Sequence, residues 1–498
     1  MNIVYETEIN RCLLCEDAPC SKACVYNVNP ADRIRSLYFE NEYSAFKNFN
    51  NECDKCEGFC EQECVLKKYD KQISIKDLMK HLGDLKDNSE IINEDFDVDI
   101  SSEICGVKLE NPYVLSSSVV ASNYEMIDKA FALGWAGCAF KTICLFEQHE
   151  ASPRFSVLKS RTGSFFGFKN IEQLSDHALE ENLIVFKELK EKYPSKVIIA
   201  SIMGRNESEW EYLSRKCDEA GADVIELNFS CPNMEDGSLG VTIGQDKELV
   251  ERFSIAARKG TKKPILAKMT PNVQDMLPYA LAAKRGGCDG IAAINTIMSI
   301  TGINIDTLTP EPSIRGSSSL GGYSGRAVKP IALRFISEVS ESKDMKDMHI
   351  SAMGGIETYR DGLEFILLGA SSLQVTTAIM QYGYRIIEDL VNGLKNYMQL
   401  RNISNLKQLI GGSIGNIVEL NQLERDTILF PKFNSDTCIG CGRCHISCYD
   451  GGHQAIQFDK ETRRPKLLAN KCVGCHLCKL VCPTSSITTL TKRIKRRD

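Results

Sequence analysis

Sixteen of the 22 cysteines in this 498-residue chain stand in two short stretches, one toward each end. Near the C-terminus they read Cys438-x2-Cys441-x2-Cys444-x3-Cys448, then Cys472-x2-Cys475-x2-Cys478-x3-Cys482, followed by Pro483. Three closely spaced thiolates wrap one corner of a 4Fe–4S cube, and the fourth of each run reaches the neighbouring cube. The ligand sets that follow are Cys438, Cys441 and Cys444 with Cys482, and Cys472, Cys475 and Cys478 with Cys448. Tyr449 stands where the first run would have proline, which leaves the ligands intact. A zinc ribbon also uses CxxC pairs, but it needs four ligands rather than eight in this order. Toward the N-terminus, Cys12, Cys15, Cys20 and Cys24 are followed by Cys53, Cys56, Cys60 and Cys64 at different spacings. Eight thiols suffice there for two further 4Fe–4S clusters, with zinc as the alternative. The intervening ADRIRSLYFENEYSAFKNF has helical periodicity.

Composition narrows what such a chain does. Its net charge of −6 lacks the clustered basic surface that phosphate backbones demand, so nucleic acid is not an expected partner. The one dense basic run, Lys492 to Arg497, reads as a solvated end. No run approaches the roughly 18–20 apolar residues of a membrane span, and the opening MNIVYETEINRC lacks the apolar segment of a secretory signal. A cytoplasmic protein is expected, since a reducing compartment disfavours disulfides and suits thiolate-held clusters.

The segment between the cysteine-rich ends alternates short apolar runs with amphipathic stretches. The runs are PYVLSS (112–117), GCAFK (137–141), KVIIASI (196–202), DVIELNF (223–229), PILAKM (264–269), DGIAAIN (289–295), HISAMGG (349–355) and SLQVTT (372–377). Eight strand–helix units in about 300 residues predict an α/β fold, a (β/α)8 TIM barrel, with VDISSEICGVKLE as a hairpin closing its bottom. Chemistry in such barrels sits at the C-terminal ends of the strands. Ser116, Ser117 and Ser118 end the first strand, and Lys141 and Thr142 the second. Asn228, Ser230 and Cys231 end the fourth, Lys268 the fifth, and Asn295 and Thr296 the sixth. Gly354 and Gly355 end the seventh, and Thr376 and Thr377 the eighth. The last two sets form the expected phosphate site, where backbone N–H groups and a helix N-terminus face the anion. Any one of these residues read alone is equally a turn or cap; their joint placement is what counts. Lys141 and Lys268 end otherwise apolar strands, where an ammonium suits a flavin that becomes anionic near N1 on reduction. The alternative for one of them is phosphate binding.

The motif NFSCPN (228–233) resembles the active-site loop shared by dihydroorotate and dihydropyrimidine dehydrogenases, which are flavoprotein barrels. FKNIE, AKMTPN, INT, GGYSG (ending at Gly325) and MGGIE also fit, while the C-terminal ferredoxin-like module fits the dihydropyrimidine branch alone. RCLLCEDAPCSKAC is similar to the N-terminal iron–sulfur domain of dihydropyrimidine dehydrogenase and of the glutamate synthase small subunit. The division expected from this resemblance is an N-terminal α-helical iron–sulfur domain (1–95), an FMN-binding barrel (96–400), a linker (401–430) and a ferredoxin-like 2×(4Fe–4S) domain (431–498). It implies one FMN and four 4Fe–4S clusters, one of them held by Cys12, Cys15, Cys20 and Cys64. The family's second N-terminal cluster has a glutamine ligand just before a helix, and the matching ISIKDLMKHL has none. Cys24 and Cys60 are therefore expected to be completed by Cys53 and Cys56.

The same resemblance implies an oxidoreductase that interconverts uracil or thymine and their 5,6-dihydro forms. FMN N5 would exchange hydride at C6 and Cys231 a proton at C5. A thiol with an ordinary pKa of about 8.5 is mostly protonated at neutral pH, as a general acid must be. Asn170, Glu172, Asn228, Asn295 and Thr296 would hydrogen-bond the pyrimidine, and MEDGSLGVTIG would form a mobile lid. Ser116, Ser117, Lys141, Lys268, Gly325, Gly354, Gly355, Thr376 and Thr377 would hold the flavin. Cys105, Cys138, Cys144, Cys217 and Cys288 lie in no motif and read as small buried hydrophobes. A carboxylate at Glu172 would repel an acidic substrate such as orotate, yet accept a bond from a neutral ring N–H. No GxGxxG follows a strand and opens a helix, so pyridine nucleotide is not expected to bind here. Electrons would come from a separate FAD/NAD(P)H-binding subunit or a ferredoxin, in an oligomeric assembly. The alternatives are a dihydroorotate dehydrogenase-like enzyme and an electron-transfer subunit whose barrel does not catalyse.

Overall fold

All eight apolar runs become strands of one closed parallel barrel: β1 (Tyr113–Leu115), β2 (Gly137–Ala139), β3 (Val197–Ile202), β4 (Val224–Asn228), β5 (Ile265–Lys268), β6 (Gly290–Ala293), β7 (His349–Met353) and β8 (Ser372–Val375). The computed structural model describes residues 3–50, 52–87, 96–159, 165–234, 236–490 and 494–495. Strands neighbour one another in chain order, and β8 closes the ring on β1 with Leu373 opposite Tyr113. Both faces of each strand are covered, which is why the runs read as continuously apolar rather than alternating. A helix follows every strand, from Tyr124–Ala132 after β1 to Ile386–Leu400 after β8. Asn123, Asn206 and Asp246 cap three of these helices by accepting backbone N–H groups of the first turn.

The hairpin expected below the barrel is present, with Ser102–Ile104 antiparallel to Val107–Leu109. Its Ile104 and Leu109 join Val114, Val197, Ile199, Val224 and Leu266 in one buried apolar cluster, which plugs that end. At the other end is a four-stranded antiparallel sheet that strand patterning had not suggested. It runs Ile297–Ser299, Gly321–Ser324, Phe165–Asn170, Phe155–Lys159 in spatial order. Buried Lys169 fastens its excursion by donating to Glu311 O and Ser319 O, both at 2.8 Å.

The periodic segment 31–49 folds as two helices, Pro30–Tyr38 and Glu42–Phe46. The break falls at Glu40, which takes a left-handed φ of 58°, and the Asn41 side chain then caps the second helix from Ser44 N. Asn41 also donates to Asp389 (3.0 Å), beside the Arg35–Asp389 ion pair, tying this region to the last barrel helix.

The chain divides into two compact units, Cys12–Gly415 and a second made of Met1–Arg11 with Asn416–Asp498. The helix Ile3–Arg11 thus groups with the C-terminal segment and not with the cysteines that follow it. That second unit holds the helices Arg443–Gly451 and Leu477–Leu480 and the hairpin Ile456–Asp459 with Arg464–Leu467. Among the described residues no helix is long and apolar enough to cross a membrane. The basic tail lies largely outside the described residues.

Candidate active site and cluster sites

A cavity of ≈ 1120 Å³, counting its open mouth, lies at the C-terminal end of the barrel strands. Every residue expected to bind substrate or flavin, and Cys231, lines it. The geometry has two ends. At one, Gly325, Gly354 and Gly355 take left-handed φ values of 89°, 129° and 77°. A Cβ at Gly355 would stand 2.9 Å from Gly325 O, so the backbones following β6 and β7 pack at a distance only glycine allows. Thr377 meets Ser324 (Oγ1–Oγ 2.9 Å) and Thr376 meets Ser118 (3.3 Å), adding hydroxyls to this cradle. Such a cradle fits a phosphate of the kind barrels bind between their last strands.

At the other end the side chains interlock. Asn228 donates to Thr142 Oγ1 (2.8 Å), which in turn meets Ser201 Oγ (2.9 Å) and Ser117 Oγ (3.2 Å). Asn295 donates to Ser230 Oγ (2.7 Å), and Ser230 donates to Asn228 Oδ1 (3.0 Å). Asn233, last in the NFSCPN motif, donates to Asn170 Oδ1 (3.1 Å) and Glu172 O (2.8 Å), while its own Oδ1 is buried without a partner. The amides expected to read a ring edge are therefore held in place by neighbours.

Glu172 is buried among charges that motif reading had not registered. Its Oε1 lies 3.2 Å from Arg154 Nε and 3.7 Å from Lys141 Nζ, and Lys141 is shared with Glu150 at 3.6 Å. Burial raises the Glu172 carboxyl above its usual range, against the pull of Lys141 and Arg154. That oxygen is ion-paired yet makes no hydrogen bond, which leaves it free to accept one. Lys141 thus lines the cavity beside two carboxylates, at 3.6 and 3.7 Å. Lys268 belongs to a second group: its Nζ lies 3.4 Å from Glu226, whose other oxygen accepts from Gln374 Nε2 (3.1 Å). Glu226 carried a signal that could have found it, since an acid two residues before Asn228 on one strand points the same way, into the barrel.

Cys231 is buried, and that burial pushes its thiol up to about 11, although Lys268 and Lys141 oppose the shift. Its carbonyl accepts from Val241 N (2.9 Å), and Gly240, with φ 58°, passes so close that a Cβ would stand 2.2 Å from Cys231 O. The segment expected as a lid is thus folded back against the thiol's own backbone; Glu235 lies outside the described residues.

The sixteen end cysteines fall into four groups of four. In the Cys12–Gly415 unit, Cys12 lies in electrostatic range of Cys15, Cys20 and Cys64. Cys24, Cys53, Cys56 and Cys60 line a separate void of ≈ 360 Å³. In the other unit Cys438, Cys441, Cys444 and Cys482 line a void of ≈ 380 Å³, while Cys472 neighbours Cys475 and Cys448, and Cys478 neighbours Cys475 and Cys472 as well as Cys444 of the first group. Among the described residues no three such side chains close on a single ion. Thiols ringed about a void suit a cube instead, and backbone N–H groups point at sulfurs of Cys24 (3.4 Å), Cys56 (3.3 Å) and Cys448 (3.3 Å). The C-terminal loops curl through left-handed Gly440 and Gly442 in the first run, and Gly474 and His476 at matching positions in the second.

Comparison with known proteins agrees with this architecture. The dihydroorotate dehydrogenase family profile matches residues 99–398, a 4Fe–4S dicluster domain matches 432–490, and the 4Fe–4S domain II of dihydropyrimidine dehydrogenase matches 4–91. The chain is 54% identical over 389 residues to the NAD-dependent dihydropyrimidine dehydrogenase subunit PreA of Escherichia coli K12, covering 78% of this chain and 95% of that one. It is 39% identical over 330 residues to the chloroplastic NADP(+) dihydropyrimidine dehydrogenase of Arabidopsis thaliana, covering 64% and 77%. It is 35% identical over 306 residues to the catalytic subunit of dihydroorotate dehydrogenase B of Pyrococcus abyssi, covering 61% and 96%. A ligand-free DHODH of Eimeria tenella shares the fold, with a TM-score of 0.54 at 20% identity over 65% of this chain and 94% of that one. A barrel of this kind, flanked by the two 4Fe–4S domains, makes the chain a member of the dihydropyrimidine dehydrogenase family of FMN- and iron–sulfur-dependent oxidoreductases.

Proposed function

We propose that this chain is the catalytic subunit of a dihydropyrimidine dehydrogenase, interconverting uracil or thymine and their 5,6-dihydro forms. The observation that carries this reading is the buried Cys231 thiol, which lines one cavity with the Glu172 carboxylate, Lys268 and the glycine cradle. When bound, FMN would supply the hydride for the ring's C5–C6 bond, and the clusters would supply electrons to it. Gly325, Gly354, Gly355, Thr376 and Thr377 would hold its phosphate, with Ser116, Ser117, Lys141 and Lys268 about the ring system. Cys231 gives its proton to C5 and is reprotonated from solvent. Asn170, Asn228, Asn295 and Thr296 orient the substrate's N–H and C=O edges. Glu172 accepts from a ring N–H, with Lys141 holding that carboxylate in place.

A thiol pushed up to about 11 stays protonated through neutral pH. The kcat/KM for uracil reduction is therefore expected to show no loss centred near the ordinary thiol pKa of about 8.5. A fall centred near pH 8.5 would instead report an unburied thiol.

Substrate choice rests on Glu172. Arg154 and Lys141 offset its charge, so discrimination against orotate comes from what Glu172 can accept rather than from net repulsion. Glu172→Gln is expected to lower kcat/KM for uracil about 10–100-fold, the loss for one hydrogen bond to a charged group. Equal turnover of orotate and uracil by the native protein would overturn the substrate assignment.

The relatives include a subunit of a larger enzyme, which supports a partner that feeds electrons to the clusters. A FAD/NAD(P)H-binding subunit or a ferredoxin would serve, within an oligomer in the cytoplasm. The cluster ligands are the four groups of cysteines described above. The domain division that accompanies them is 1–95, 96–400, a linker at 401–430, and 431–498.

A further inference from the structure

A carboxylate at the centre of a barrel is expensive, because the interior layers are normally filled by branched apolar side chains and burying a charge costs several kcal/mol. Glu226 is nevertheless fully buried, at 0% exposure, in the middle of β4. Lys268 on β5 stands 3.4 Å from its Oε1. Its Oε2 accepts from Gln374 on β8 (3.1 Å), and the same Gln374 amide reaches Ser351 on β7 (3.2 Å). One carboxylate thereby couples four of the eight strands. Lys268 and Gln374 line the cavity and Glu226 does not, so whatever Glu226 does there it does through them.

We propose that Glu226 is a positioning residue that fixes the Lys268 ammonium at the cavity floor and offsets its charge, setting how strongly the site favours the reduced flavin. A bare lysine would stabilise an anionic reduced ring without restraint. A fixed negative charge 3.4 Å behind it weakens that pull, and the Gln374–Ser351 bonds keep the carboxylate from turning away. The consequence is a flavin that passes electrons on to the pyrimidine instead of holding them. This inference rests on the reading above that Lys268 faces the flavin ring.

Potentiometric titration of the flavin in the purified holoprotein tests it. Glu226→Gln keeps the shape and removes the charge, so its midpoint is expected to rise, with the two-electron reduction equilibrium shifting at least about tenfold, or about 30 mV. Lys268→Met is expected to lower the midpoint. An unmoved midpoint in Lys268→Met would remove Lys268 from the flavin, and with it that part of the proposed site. If Lys268→Met shifts the midpoint but Glu226→Gln leaves it unchanged or lower, the role of Glu226 is overturned while that of Lys268 stands. Should Glu226→Gln not fold, Glu226→Asp, which draws the charge back by one methylene, is expected to give a smaller rise. An unchanged or lower value there overturns the proposal equally. A purely structural loosening would reduce flavin content without a signed change in midpoint.

Discussion

Replacing Cys231 by alanine should lower pyrimidine reduction by about 10²–10⁴-fold, the range for removal of a positioned general acid. The thiol is a cavity group whose surroundings keep it neutral and proton-bearing: burial raises it to about 11, and the nearby lysines only partly reverse this. Asn228, Ser230 and Asn233 flank it and are engaged in fixed hydrogen bonds, so none can swing in to replace it. The loss should fall on the proton step alone. Flavin content and reduction of the flavin by dithionite should match the native protein, because the glycine cradle and Lys268 are untouched. Cys231→Ser should recover little, since a hydroxyl is a far weaker acid than a thiol. Near-native turnover by Cys231→Ala would mean that the proton reaches C5 by another route.

The second large effect concerns electron entry. Four cubes account for about sixteen irons per chain. Cys482 is the distant member of its group, completing the void lined by Cys438, Cys441 and Cys444. Cys482→Ala should therefore cost about four irons and abolish partner-driven reduction, measured by iron analysis and anaerobic turnover. Reduction of the flavin by a dihydropyrimidine should survive, because that half-reaction takes place inside the barrel. The exchange between runs makes a finer statement. If Cys448 rather than Cys482 completed the first group, Cys482→Ala would disturb the signal of the other C-terminal cluster.

Much of this was legible in the residues, for physical reasons. A parallel barrel buries both faces of its strands, so each strand reads as a mainly apolar run and all eight could be located. Polar residues at the ends of such runs have nowhere to point but the mouth, which is why Lys141, Asn228, Lys268, Asn295 and Thr376 could be singled out together. The cysteine groups followed from spacing at the C-terminus and from family likeness at the N-terminus. Polar residues inside strands were harder. Gln374 and Ser351 are single polar breaks in apolar runs, and nothing local says that they meet Glu226 across the barrel. Glu150 and Arg154 lie between strands with no motif around them, so Glu172 reads in the sequence as a lone charge although it belongs to a group of four. The four-stranded sheet at the mouth is not legible locally because its strands are only partly buried and pair across long intervals, with Gly322 opposite Asn170. The grouping of the helix Ile3–Arg11 with the C-terminal segment is likewise a long-range contact that local pattern cannot encode.

Anaerobic mixing of the isolated chain with dihydrouracil, followed at the flavin absorbance, tests the central claim most directly. It asks whether the barrel alone, without any partner, moves hydride and proton between a neutral pyrimidine and its flavin. The expected result is rapid bleaching of the flavin with formation of uracil, and no comparable bleaching by dihydroorotate. A flavin that stays oxidised with dihydrouracil, or one that dihydroorotate bleaches as fast, would contradict it.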